Sequence, residues 1–399
     1  MAERVSVRRA EKPWRQGWEL TDEERNVFRQ RSRRSSAAKV AATLGRGPEP
    51  LHEINVPTLD PNDLMVQLPA NGIRSLSLFS GCGGLDHGYE RAGFAHVASY
   101  DHYIPAGETI RALRPQWEIY SGDDGDVTRI NWLEYRGRVD VLHGGPPCQP
   151  FSMAGRQLGK HDTRDMFPEF VRAVLEIKPQ AFMAENVAAL GSDKFASYVK
   201  RTIVEPLSEE YQVVRFQLTA ASFGVPQRRQ RLFFVGFRNK RSAKRFNIPT
   251  PTHSFAHLDP RRASMVTLLD LEAPLNRCTG AREALGLPDI GFDALAPTLR
   301  SSLTGPRHTT SIVSSVSAHK LWTQLGIWPN GVAPTRDAAR RFVAANGNFR
   351  LSVPDCAILQ GFPETWPICG SVYVALGQIG NAVPPPLAYH IARQIAAAL

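Results

Sequence analysis

The run Gly144–Ser152, GGPPCQPFS, holds one thiol among two glycines and three prolines, directly after the apolar stretch VDVLH. Pro147 and Pro150 fix φ on both sides of Cys148 and Gln149 and remove two backbone donors. Gly144 and Gly145 permit a sharp turn or a close approach to another group. A cysteine buried for packing needs none of this rigidity. A thiol presented at a strand end for nucleophilic chemistry does.

A second stretch, SLFSGCGGLDHGYERAG, places Gly81, Gly83 and Gly84 between a predicted strand and a predicted helix. Asp101 follows Gly81 by twenty residues, at the end of the next strand. A carboxylate there can accept both hydroxyls of a ribose. The spacing departs from G-x-G-x-x-G, because Asp86 stands at the third glycine position. S-adenosylmethionine, an adenosine ligand without phosphates, therefore fits better than a dinucleotide; a purely structural turn is the alternative. In GDVTRIN, Asp126 precedes Val127 after the third strand position. It can accept from an adenine amino group or serve only as a turn residue.

These groups need a frame. IRSLSLF, AHVASYD, VDVLHGG, QAFMAENV, YQVVRFQLTA and RLFFVGFR read as strands. GLDHGYERAG, PAGETIRALRP, RDMFPEFVRAVLEIKP and DKFASYVKRTIVEPLSEE read as the intervening helices. The alternation predicts an α/β fold with a mostly parallel, doubly wound sheet. Ligands on such sheets bind beyond the C-terminal strand ends. Residues 1–70 read as a basic N-terminal extension and linker, with a helix from the Thr21/Glu24 capping box toward Gly45. Residues 71–240 form the alternating domain. Residues 241–345 lose the alternation and read as a separate loop-rich basic domain. Residues 346–399 return to the first domain through the helices PDCAILQGF and PPPLAYHIARQIAAAL.

The chain has 399 residues and a net charge of +10. Residues 1–50 hold 12 Lys/Arg against 7 Asp/Glu, and residues 239–350 hold 15 against 7. Basic charge concentrated in this way suits a polyanionic partner. No run of about 18 apolar residues predicts a membrane span. The N-terminus has no apolar stretch of a signal peptide. The five cysteines are widely spaced and form no C-x-x-C, which predicts neither a metal site nor a disulfide framework and suits a reducing compartment.

FSGCGG, GGPPCQPFS, AENV, QRRQR, LQGFP and QIGNAVP occur in the order, and at roughly the spacing, of the DNA cytosine-C5 methyltransferases. The chain resembles that family over about residues 73–238 and 350–392. The resemblance implies a Rossmann-like S-adenosylmethionine-dependent catalytic domain with helices on both faces, and a smaller target-recognition domain over 241–345. It makes Cys148 the nucleophile that attacks C6 of cytosine. Glu185 matches the carboxylate that holds N3 and the exocyclic amine. Gln227, Arg229 and Arg231 match a Gln-x-Arg-x-Arg pattern whose guanidiniums could hold the cytosine O2 and a neighbouring phosphate. On a strand all three would share one face, with Arg228 on the other.

Phe79 matches an aromatic that stacks on adenine, and Asn381 and Val383 match residues that close over the cofactor. Gly81, Cys82, Gly83, Gly84, Asp101, His102, Asp126, Val127 and Pro146 complete the expected cofactor set. Gln149 and Ser152 are expected to contact DNA, within a loop through Gly155 and Gly159 that closes as a lid. Arg300, Arg307, His308 and Lys320 are further candidate DNA contacts. The sequence departs from the family where Asp101 replaces a usual Glu, His102 a bulkier neighbour of the adenine, and Asp355 a common Glu. Cys82 is unusual in its loop and reads as a small packed residue.

The implied partner is double-stranded DNA, from which the target cytosine is flipped. The implied setting is a monomer on the chromosome in a bacterial cytoplasm, with a cognate restriction endonuclease acting on the same site. Two alternatives remain. An RNA cytosine methyltransferase of the same family would carry Cys-Phe-Thr in the variable region, where this chain has Cys278 followed by Thr and Gly. A non-catalytic DNA-binding regulator would be expected to have lost some of Cys148, Glu185, Arg229 and Arg231.

Overall fold

A computed structural model describes residues 53–147, 165–259, 274–301, 310–341 and 348–399, with Glu23, Asn26, Gln30 and Arg33. The chain divides into one unit of Met1–Leu51 with Arg341–Val343 and a second of His52–Arg340 with Ala344–Leu399. In the first, the four described residues of the expected N-terminal helix are helical and exposed.

The second unit is built on seven strands: β1 (Arg74–Leu78), β2 (Ala95–Asp101), β3 (Ile119–Ser121), β4 (Val141–Gly144), β5 (Ala181–Val187), β6 (Gln212–Thr219) and β7 (Gln230–Phe237). Their order is β3-β2-β1-β4-β5-β7-β6. Only β7 runs against the rest, pairing antiparallel with β5 and β6. The order reverses direction between β1 and β4, so the C-terminal ends of β1, β2 and β4 open on one crevice.

Helices α1 (Gly84–Arg91), α2 (Ile104–Leu113), α3 (Phe167–Ile177), α4 (Lys240–Arg245), α5 (Val316–Gln324), α6 (Val353–Gln360), α7 (Val372–Asn381) and α8 (Pro385–Ala398) complete the frame. One apolar core packs α3 against one sheet face through Phe167, Phe170 and Val174. A second packs α1 and α8 against the other through Leu85, Tyr89, Leu387 and Ile391. Gly88 makes that contact possible, since a Cβ there would lie 2.5 Å from the Ala388 Cβ. A third core joins Leu285, Trp322 and Ile327 to Leu351, Ile358 and Leu376, across position 345. There β10 (Ile327–Ala333) pairs in parallel with β11 (Phe349–Ser352), and β8 (His253–Ser254) pairs with β9 (Asn276–Arg277).

Two expectations are corrected. The segment after residue 52, read as a linker, packs closely: Asn55 donates to the Leu285 carbonyl and to Asp355 Oδ1, both at 3.0 Å. The strand expected over QRRQR begins only at Gln230. Gln227 precedes it and makes an isolated bridge with Ala296. Among the described residues, no helix is long and apolar enough to cross a membrane.

Candidate active site

The parallel register of β4 and β5 sets Gly144 beside Ala184. Glu185, one residue on, therefore meets the start of the Gly-Gly-Pro-Pro run. Its Oε2 lies only 3.0 Å from where a Cβ on Gly145 would stand. Asn186 donates its amide to the Pro146 carbonyl at 3.1 Å and is buried. Strand β5 thus fixes the chain that leads into Cys148. Cys148, Gln149 and Ser152, and the expected lid, lie outside the described residues.

Strand β7 brings a cation to the same place, because Arg231 stands opposite Val187. Arg231 Nε is 2.7 Å from Glu185 Oε1. Burial pushes the Glu185 carboxyl above its ordinary range, and Arg231 and Arg229 oppose that shift. A carboxyl that binds a proton more readily than usual, with a cation at hand, suits proton sharing with a ring nitrogen.

Arg229 and Gln227 are placed differently from the expected DNA-facing side chains. Both are fully buried. Arg229 donates to the carbonyls of Gly380 and Ala382 at 2.8 Å each. Gln227 donates to the Leu359 carbonyl at 2.9 Å and to Gln360 Oε1 at 2.8 Å. Gln360 in turn donates to the Ala382 carbonyl at 2.6 Å. Three motifs distant in sequence, QRRQR, LQGFP and QIGNAVP, are therefore joined by buried hydrogen bonds. The signal missed in the sequence was the pair of glutamines, which look like surface residues until their partners are known.

The glycine loop lies beyond β1. Phe79 adopts φ +54° and Gly81 the same value, a left-handed conformation uncommon for a residue with a side chain. A Cβ on Gly81 would meet nothing within 4 Å, whereas one on Gly84 would lie 2.3 Å from the Val383 carbonyl oxygen. Gly81 thus borders open space, and Gly84 serves contact with the returning C-terminal segment. Cys82 is buried in the third core, and burial holds its thiol far above the ordinary range. Its carbonyl accepts from Trp366 Nε1 at 3.0 Å, a brace the sequence reading missed.

Asp101 accepts from the backbone amides of Gly81 and Tyr103, at 2.7 Å each. Each carboxylate oxygen retains capacity for a further donor. Burial raises its pKa, against these two amides. His102 is exposed, with Nδ1 3.2 Å from the Gly122 carbonyl oxygen. Asp126 caps the next turn, accepting from the Thr128 amide and hydroxyl; Thr128 holds its pKa below the ordinary value. Val127 is buried in the first core. Asn381 is exposed at the end of α7, and Val383 is buried. Gly81 and Asp101 are thus joined beyond the ends of β1 and β2, Phe79 follows β1 and Asp126 follows β3, and the space beside Gly81 is open, which leaves room for an adenosine-bearing ligand.

Of the remaining candidates, Arg300 is half-buried, with its amide bonded to the Ile312 carbonyl, and Lys320 is exposed on α5. Arg307 and His308 lie outside the described residues. Cys278 is fully buried, and burial pushes its thiol up to about 12, an environment unsuited to a nucleophile.

Comparison with known proteins agrees with this geometry. Residues 73–282 and 304–397 match the model of the C-5 cytosine-specific DNA methylase family. The chain is 36% identical over 327 residues to the type II methyltransferase M.NgoMIV of Neisseria gonorrhoeae, covering 82% of this chain and 97% of the relative. It is 34% identical over 329 residues to M.NaeI of Lentzea aerocolonigenes, covering 81% and 75%. A crystal structure assigned to a DNA modification methyltransferase encoded within an E. coli prophage shares the fold, with a TM-score of 0.51 and 22% identity over 81% of this chain and 98% of that one. The sheet, the site and these matches together make the chain a member of the C-5 cytosine-specific DNA methylase family.

Proposed function

We propose that this DNA cytosine-C5 methyltransferase draws its methyl group from S-adenosylmethionine and uses Cys148 as its nucleophile. The observation that carries the reading is the convergence of Glu185, Arg231 and the Gly-Gly-Pro-Pro run at adjoining strand ends.

The Cys148 thiolate adds to C6 of a flipped cytosine, forming a C–S bond while N3 takes a proton shared with Glu185. The ring electrons released in this way make C5 nucleophilic. Arg231 holds Glu185 in place and offers its guanidinium to the base edge. Arg229 acts through position, by fixing the turn that contains Asn381. S-adenosylmethionine, when bound, would supply an electrophilic methyl on sulfur: C5 would gain the methyl as the S–CH3 bond breaks, its electron pair staying with the departing thioether, S-adenosylhomocysteine. Loss of the C5 proton and then of the thiolate restores the aromatic ring and frees the enzyme.

Asp101 would hold the ribose, Phe79 the adenine face and Asp126 its amino group. Gln149 and Ser152 would contact the DNA, and residues 250–345, with Arg300, Arg307 and Lys320, would choose the sequence. The likeness to type II methyltransferases supports a place in a type II restriction–modification system, and hence a bacterial cytoplasm and a cognate endonuclease.

The test is a duplex carrying 5-fluorocytosine at the target. Fluorine cannot leave as a proton does, so release of the enzyme is blocked. A denaturation-resistant adduct is expected, mapping to Cys148. The buried Cys82, Cys278 and Cys356, whose thiols burial keeps protonated, should remain unlabelled. Full methylation by Cys148→Ser would refute the mechanism. An adduct formed only on RNA would transfer the chemistry to another substrate.

A further inference from the structure

The basic charge of residues 239–350 does not all lie in the variable region. Lys240, Arg241, Lys244 and Arg245 belong to α4, which packs with Phe246 against the second core of the sheet. Their spacing, i, i+1, i+4 and i+5, puts them on one side of the helix. Ser242 and Phe246 are buried on the other side, and the four cations are exposed.

The position of this face is set by the reversed strand. β7 starts at the pole where Arg231 meets Glu185 and ends at Phe237, opposite the first residue of β5. Six residues of strand separate the two ends, about 20 Å at 3.3 Å per residue. The α4 face therefore lies toward the pole opposite the active site.

Cations elsewhere in this unit are commonly neutralised. Arg74 pairs with Asp140, Arg114 with Glu90, Lys178 with Glu210, and Arg277 with Glu283. Arg238, just before α4, reaches Glu210 at 3.6 Å. Arg245 donates to the Leu399 carbonyl oxygen at 3.2 Å. Among the described residues, Lys240, Arg241 and Lys244 make no ion pair. α4 itself contains no acidic residue.

We infer that this face holds the phosphate backbone of a second DNA segment while the active pole engages the first. Charge complementarity selects the occupant: Lys240 and Lys244 stand about 6 Å apart along the helix axis, beside a polyanion with a charge every 3.4 Å per strand. A protein that grips two segments can transfer between them without entering free solution.

A fluorescent duplex of A·T pairs only carries no cytosine and so tests binding apart from chemistry. At low salt the full-length protein should bind two such duplexes. The variant Lys240→Gln/Arg241→Gln/Lys244→Gln should bind one, while in the wild type the second duplex should show a slope of log K against log salt of magnitude about 2.7 or more, about 0.9 for each of the three contacts. Lys240→Arg/Lys244→Arg should keep two. Methylation of genomic DNA sheared to fragments too short to bridge both poles should be unchanged in every variant, and unchanged melting would show that each is folded. The inference is overturned if the wild type binds only one duplex, or if the glutamine variant still binds two. It is also overturned if that variant loses methylation of short fragments, or if the face binds phosphatidylserine vesicles and no second duplex.

Discussion

Arg231 Nε lies 2.7 Å from Glu185 Oε1, joining the start of the one reversed strand of the seven to the end of its antiparallel neighbour β5. Both side chains are nearly withdrawn from water, so each compensates the desolvation of the other. Arg231→Gln removes a cation that lowers the Glu185 pKa while burial continues to raise it. A carboxyl whose folded pKa is raised stabilises the fold at low pH and loses that contribution as pH rises through the folded value. The variant should therefore lose more stability than the wild type between pH 5 and pH 8, with a loss of roughly 3 kcal/mol at pH 8. Adding Glu185→Gln should remove the extra pH dependence. Thermal unfolding at the two pH values decides; equal slopes in wild type and single variant would refute the coupling.

Asn186 ties β5 to the Pro146 carbonyl. Asn186→Ala should leave the strand paired but release the chain entering Cys148. With one buried hydrogen bond at about 1 kcal/mol, kcat should fall about fivefold to tenfold, while affinity for S-adenosylmethionine stays the same. An equal loss in both quantities would point to general disruption instead.

Most strands and helices of the alternating region were legible because their signals are local. Phe170, Val171, Val174 and Ile177 repeat along α3, and prolines open both α3 and α8. β10 was not legible: IWPNGVA contains Pro, Asn and Gly, and it becomes a strand only because Phe349–Ser352 lies beside it. Asp355 was noticed only as a departure from a family pattern. The structure shows why an acid stands there: it closes a capping box with Ser352 and accepts from Asn55 and Arg336. At the site, Glu185 and Arg231 were legible through their motifs. The inward commitment of Gln227 and Arg229 was not, because a motif records residue types and not which way a side chain turns.

The glycine loop makes a paired prediction. Gly84→Ala places a methyl 2.3 Å from the Val383 carbonyl oxygen, and backbone must shift to admit it. The expected destabilisation is about 2–3 kcal/mol. Gly81→Ala meets no atom but keeps φ at +54°, which costs about 1 kcal/mol. Its larger effect should be on the cofactor, because the new methyl occupies the open side of the loop. Calorimetric binding of S-adenosylmethionine should weaken at least tenfold in Gly81→Ala. If Gly81→Ala binds normally, the cofactor does not approach that side.

Beneath this loop, Asp86 is buried and accepts from Ser77 at 3.2 Å and Ser99 at 2.6 Å. His96 Nε2 lies 2.8 Å from the same Ser99 hydroxyl, and its ring stacks on Trp117. Burial pushes Asp86 up to about 6, against the two hydroxyls, and pushes His96 down to about 4. The two shifts act on stability in opposite directions within one pH window. Asp86 has a folded pKa above its unfolded value, so its contribution is present below about pH 4 and lost as pH rises through 6. His96 has a folded pKa below its unfolded value, so its contribution is present above about pH 6.5 and lost as pH falls toward 4. Each is worth roughly 3 kcal/mol across its window. His143 and His390, lowered by burial to about 3 and about 4, act in the same direction as His96. Acid should therefore destabilise the wild type, with Asp86 offsetting part of the loss. Asp86→Asn removes the offset and should steepen the fall in melting temperature from pH 6.5 to 4.5, while His96→Gln should make it shallower. Denaturant melts across that interval measure both slopes, and identical slopes in wild type and Asp86→Asn would show that the buried carboxyl does not titrate there.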